Sequence, residues 1–190
     1  MNMTGVSMLG WLHTLACTGA IMVGAWVLAG PKGTALHRRT GRWYVYIMLV
    51  ATLSSLGVYH FDISRFAPFT AGAGRFGVFH WESVFTLAFL LLAWFAASRQ
   101  RRAPWAYLHP LSMLVTYYML IGGLVNELFV RVAFLRSFAR AQLHGAGDRG
   151  RLPPVVGDVQ GVVMLVFLVL LIYFLTRVAL RRRGLRAVPA

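Results

Sequence analysis

The chain has 190 residues and a formal net charge of +14, with 58% of its residues in the apolar set and 13% charged. An ordinary soluble domain carries about 25% charged residues, so this composition excludes one; the apolar residues fall in blocks of span length and read as a polytopic membrane protein. The cations gather at the ends of those blocks, which excludes nucleic acid as the expected partner and points to the lipid bilayer and its anionic headgroups.

A span needs roughly 20 mostly apolar residues, and five blocks qualify in chain order: about 7–30, 43–59, 78–97, 107–130 and 155–180. They predict an all-α transmembrane helix bundle of five spans forming a single integral domain over 1–190. The first block has no basic leader and outruns the apolar core of a signal peptide, so it reads as a retained span. Its cations follow it, in residues 32–42. Trp43, Tyr44, Tyr46, Trp81, Trp105 and Tyr107 fall near span ends, where aromatic belts form. Trp26 and Trp94 fall deeper and are expected to pack against neighbouring helices.

Between the fourth and fifth blocks, Val132, Leu135, Phe138 and Ala139 recur near helical spacing, with Arg136 and Arg140 on another face. Residues 131–144 therefore predict an amphipathic helix lying on the outer surface. Residues 145–154, rich in Gly and Pro, predict a loop into the last span, and 70–74 an outer turn. With the N-terminus outside, 12 basic residues lie inside and 7 outside, and the excess of inner cations predicts N-out, C-in. The five arginines of 131–151 run against that bias.

All five acidic residues, Asp62, Glu82, Glu127, Asp148 and Asp158, then fall in outer segments or the outer third of a helix. Glu127 stands one turn before Arg131 and can pair with it; Asp158 suits the start of a helix; Asp62 and Asp148 read as loop residues. Glu82 lies just inside the third span, where an ionisable group is a functional candidate by default.

The histidines carry a repeat. His13 is in the outer part of the first span and His37 follows in the basic segment just before the second; His80 opens the third span and His109 begins the fourth, at separations of 24 and 29 residues. Each half reads as outer histidine, inward helix, basic turn, inner histidine, outward helix. This is a weak parallel repeat of helix pairs, followed by a C-terminal helix. His13, Cys17, Ala20 and Gly24 share one helical face, as do His109, Ser112, Thr116 and Gly123, and Ala16, Ala20 and Gly24 make a small-residue row. Such faces admit either a close helix or a flat cofactor.

Two imidazoles at one membrane level are what bis-histidine haem iron requires. The pattern therefore predicts a b-type haem electron carrier, with His13 and His80 on an outer haem and His37 and His109 on an inner one. Arg38, Arg39, Arg42 and the 99–102 cluster would meet inner propionates. A second reading makes the histidines packing residues of a non-redox assembly factor or of a subunit in a membrane complex. A third places an outer metal-dependent enzyme site on His13, His60, His80 and Glu82, a ligand set suited to zinc, copper or iron. No compact metal motif, hydrolase elbow, phosphate loop or dinucleotide fingerprint occurs, and His144 stands apart from the repeat. The sole cysteine, Cys17, excludes an intrachain disulfide and a cysteine metal cluster.

The stretch from Lys32-Gly33-Thr34-Ala35-Leu36-His37-Arg38-Arg39-Thr40-Gly41-Arg42 into Trp43-Tyr44-Val45, then Arg75-Phe76-Gly77-Val78-Phe79-His80-Trp81-Glu82-Ser83, and His109 with Met113 and Tyr117, resembles a bacterial membrane-protein family catalogued as domain of unknown function 2306. The likeness runs over about 13–127, with histidines matching at His13, His37, His80 and His109. It implies a small multi-span protein of a bacterial inner membrane and supplies no catalytic residues. The chain departs from the pattern at Pro110, where the family tends to a basic residue, and the last two segments read as an extension.

Overall fold

The computed structural model describes residues 8–58, 78–99, 102–141 and 153–186. They form six helices: α1 (Met8–Ala29), α2 (Ala35–Val58), α3 (Val78–Ser98), α4 (Ala103–Arg131), α5 (Ala133–Ala141) and α6 (Pro154–Arg186). No strand occurs among the described residues. His60, His144, Asp62, Asp148, the 70–74 turn and residues 145–152 of the expected loop lie outside them.

Four helices are long and apolar enough to cross a membrane: Met8–Ala29, His80–Ser98, Pro104–Phe129 and Pro154–Gly184. A chain whose described residues include four such helices is a membrane protein whose apolar faces suit lipid tails. α2 is 24 residues long but is not one of the four, because it opens with Arg38, Arg39 and Arg42 and carries Thr52, Ser54 and Ser55. It also starts eight residues before the expected second span. The basic segment is thus wound into the helix, and His37, expected ahead of it, occupies its first turn. The amphipathic segment is helical as α5, with Phe134 and Phe138 exposed and Ala139 buried.

The chain divides into two compact units, Met1–Leu90 and Leu91–Ala190, with α3 contributing to both. In the first, α1 and α2 run antiparallel: Leu9 lies beside Gly57, His13 beside Ser54 and Gly19 beside Ile47. The buried residues of α1 are Gly10, Ala16, Ala20, Gly24 and Val27, which include the row Ala16, Ala20 and Gly24 expected from the sequence. Small side chains let the two backbones approach closely, which is how helices associate in a lipid solvent.

The α1–α2 turn is closed by the chain's own polar groups. Lys32 Nζ donates to the carbonyls of Val27, Leu28 and Gly30, so a cation satisfies the last acceptors of α1. Partial burial holds this ammonium below the ordinary lysine value. Gly33 takes φ +82°, a left-handed conformation that favours glycine. Thr34 Oγ1 then accepts from the His37 amide at 3.1 Å, capping α2, while Arg38 Nη1 donates to the Gly33 carbonyl at 2.8 Å.

In the second unit α4 begins with Pro104 in its first turn, where the missing N–H costs nothing. α4 and α6 run antiparallel, with Tyr117 and Tyr118 against Phe167, and Gln160 against Gly122 and Asn126. Gln160 Nε2 donates to the Gly122 carbonyl at 3.0 Å and to Asn126 Oδ1 at 3.1 Å. An amide inside an apolar helix is satisfied in this way by its neighbour.

Candidate functional site

The buried positions of α2 and α3 are unusually polar for apolar helices. On α2, Thr52, Ser54 and Ser55 are buried beside Ala51 and Met48; on α3, His80, Ser83 and Thr86 are buried on the face that continues as Leu90, Ala93 and Ala96. The large apolar side chains point the other way, with Leu53, Leu56, Phe85 and Leu91 exposed. The hydroxyls are satisfied locally. Thr52 Oγ1 donates to the Met48 carbonyl, Ser54 Oγ to Ala51 and Ser55 Oγ to Thr52, and Ser55 Oγ also bonds Ser83 Oγ.

His13 joins this set from α1. Its Nδ1 lies 3.0 Å from the Ala51 carbonyl and 3.2 Å from Ser54 Oγ. A carbonyl only accepts, so Nδ1 carries the proton and Nε2 is the basic nitrogen. Cys17 Sγ stands 3.6 Å from Nε2, one turn along α1. His13 and Ser83 thus address α2 within about one turn of each other, and His80 lies one turn, roughly 5 Å, nearer the start of α3. His80 is buried and Glu82 half-buried; Glu82 makes no hydrogen bond or ion pair among the described residues.

His109 repeats the device in the second unit. Its Nδ1–H donates to the Ala93 carbonyl of α3 at 3.0 Å, which again leaves Nε2 basic. One and two turns further on, Ser112 and Thr116 are fully buried, on the face expected to carry them. Thr116 Oγ1 donates to Met113. Ser112 Oγ has no hydrogen-bond partner among the described residues. Pro110 is inside α4 and withdraws the N–H that would reach the Ala106 carbonyl.

His37 is half-buried and lines a shallow cleft with Trp26, Val27, Pro31, Thr34 and Thr40; its free volume, about 10 Å³, is that of one water. That cleft does not hold a macrocycle. Trp26 and Trp94, expected to pack inward, are 64% and 46% exposed; a large aromatic beside a small-residue seam has no room on the seam side and turns outward.

The structure therefore brings His13, Ser54, Ser55 and Ser83 together, with His80 a turn away. Among the described residues no three His, Cys, Asp or Glu side chains gather into a metal-holding group, and His60 of the outer metal set lies outside them. Two imidazoles with Nδ1 fixed to a main-chain carbonyl do fit axial ligation, since a ligating histidine generally donates its second nitrogen to such an acceptor. The hydroxyls of α2 and α3 were missed by a reading centred on histidines. Their signal was present as Ser and Thr at three- and four-residue spacing inside apolar blocks. No family model matches this chain, and no curated protein or solved structure matches it either.

Proposed function

We propose that this protein is a b-type haem carrier moving electrons across a bacterial inner membrane, with five spans, N-out and C-in. His13 and His80 serve an outer haem, and His37 and His109 an inner one that would lie outside the one-water cleft beside His37. The resemblance to the domain of unknown function 2306 family belongs to the same proposal. One observation carries it: His13 and His109, on different helices, each direct Nδ1 to a helix carbonyl at 3.0 Å. That hydrogen bond selects the tautomer in which Nε2 is unprotonated, fixes the ring plane and raises ligand basicity. Bound haem would supply one-electron chemistry; the residues of the chain would hold the iron and exclude water.

The test is an optical spectrum, oxidised and dithionite-reduced, of detergent-purified protein made with haem precursor, with elemental analysis of the same sample. The expected result is a haem b spectrum with about two equivalents per chain, and the loss of one equivalent on replacing His13, His80, His37 or His109 by Ala. Full haem content in all four variants, or a colourless iron-free protein, would overturn it.

A second reading, a non-redox assembly factor or complex subunit, is favoured by the bonds from His13 to Ala51 and Ser54 beside the Ser55–Ser83 contact. Such polar contacts between helices also serve as packing glue. It expects a metal-free preparation that loses stability when His13 or His80 is replaced, and a co-purifying partner.

A further inference from the structure

Four of the cations expected at the inner surface fall in the α1–α2 hairpin, and the structure divides them into two kinds. Lys32 is consumed by three carbonyls at the end of α1, and Arg38 by the Gly33 carbonyl. Arg39 and Arg42 are exposed and make no hydrogen bond or ion pair among the described residues. They stand three residues apart on α2. The next positions on the same stripe are Trp43 and Tyr46, 56% and 49% exposed and set edge to face with ring centroids 6.2 Å apart.

Residues 39, 42, 43 and 46 follow the i, i+3, i+4, i+7 rule for one helical face. From Arg39 to Tyr46 the stripe runs roughly 10 Å along the helix axis, enough to cross the polar layer of about 5–8 Å on one side of a bilayer and enter its hydrocarbon. The order along it is two guanidiniums followed by two amphipathic aromatics. Guanidinium binds phosphate oxygens through paired N–H donors, while Trp and Tyr settle at the level just beneath the headgroups. Water alone does not account for the pairing of free cations with exposed rings in this order, and an anionic phospholipid does.

We propose that this stripe is a binding site for an anionic phospholipid, with Arg39 and Arg42 on its phosphate and Trp43 and Tyr46 against its glycerol and upper acyl region. The proposal rests on the five-span reading, in which α2 enters the bilayer, and is independent of haem. Lys32 and Arg38 take no part in it, so the site is narrower than the cluster of cations around it.

Purified protein in a neutral detergent is titrated with phosphatidylglycerol, phosphatidylcholine or soluble glycerol phosphate, and bound molecules are counted by native mass spectrometry. The expected result is preferential retention of phosphatidylglycerol, weakened at least tenfold in R39Q/R42Q and unchanged in R181Q/R183Q, which removes two exposed arginines of α6. Equal binding by R39Q/R42Q, or equal loss in R181Q/R183Q, would overturn the proposal, as would equally tight binding of soluble glycerol phosphate. Both double variants change only exposed side chains and are checked for unaltered melting. Val50→Cys in a Cys17→Ala background, probed in membranes with an impermeant maleimide, separates the two failures. Labelling there overturns the crossing of α2 and the lipid site with it; protection of Val50 with unchanged lipid binding in R39Q/R42Q overturns the lipid site alone.

Discussion

The Nδ1–H of His109 on α4 donates to the main-chain carbonyl of Ala93 on α3 at 3.0 Å. A carbonyl oxygen has two lone pairs, so Ala93 can keep its helical bond and accept the imidazole as well. The contact needs a donor at the position of Nδ1 and nothing from the side chain at 93. That separates the structural part of the His109 role from its ligand part.

His109→Ala is expected to lower stability by about 1 kcal/mol through the lost bond. His109→Asn places an amide N–H near the position of Nδ1 and is expected to recover most of that loss while removing the ligating nitrogen. Thermal melting in detergent, set beside haem content, reads both effects. A haem-loaded Asn variant would show that His109 is not a ligand.

The Ser55–Ser83 bond joins a hydroxyl that already donates to the Thr52 carbonyl of its own helix with one on α3. A double-mutant cycle with Ser55→Ala and Ser83→Ala should give a coupling of about 0.6 kcal/mol, the average for such contacts in membrane helices. Additive effects would show that each hydroxyl serves its own helix only.

Ser112 presents the opposite case, a fully buried hydroxyl without a partner among the described residues. Leaving such a group unsatisfied costs about 1–3 kcal/mol, so Ser112→Ala is expected to melt at the same temperature as the wild type or higher. A marked loss of stability would reveal a bound water or ligand atom on the hydroxyl.

Gln160→Leu removes both bonds from α6 to α4, to Gly122 and Asn126. It leaves an apolar side chain facing polar acceptors, and a loss of about 1–2 kcal/mol is expected. Urea or SDS unfolding of the full chain measures it. A neutral result would mean that ring contacts such as Tyr117–Phe167 carry the pairing of α4 and α6.

Lys32→Ala should destabilise the α1–α2 turn by about 1 kcal/mol, because a charge-assisted cap on Val27, Leu28 and Gly30 is lost. Lys32→Arg is not expected to restore it fully, since a planar fork cannot gather three carbonyls as an ammonium does. Exchange of the last amides of α1 and first amides of α2 reports the loosening directly.

The apolar helices were legible because long apolar blocks have few alternatives, and α1, α3, α4 and α6 follow the expected 7–30, 78–97, 107–130 and 155–180 closely. The beginning of α2 was less legible: the basic segment ahead of the expected 43–59 span was read as a turn, yet Arg38, Arg39 and Arg42 are good helix formers and Thr34 supplies the cap. Of the candidate residues, the polar face of His109, Ser112 and Thr116 was visible from spacing alone. The acceptors of His13 and His109 were not. Both are main-chain carbonyls of other helices, and no side-chain pattern marks a backbone atom.

The hairpin of α1 and α2 also bears on how the chain is made. On the five-span reading α2 is the least apolar of the spans and carries its hydroxyls toward α1 and α3, so its own gain from entering lipid is the smallest. α1 emerges from the ribosome first and brings His13 to the Ala51 carbonyl and Ser54. On that reading the two helices would insert together, as a pair closed by Lys32 and Gly33 at the turn. α6, the most apolar of the four candidate spans, needs no such companion. On the same reading, deleting α1 would leave α2 at the membrane surface while α6 still integrates, and the first helix would serve as an insertion partner for the second.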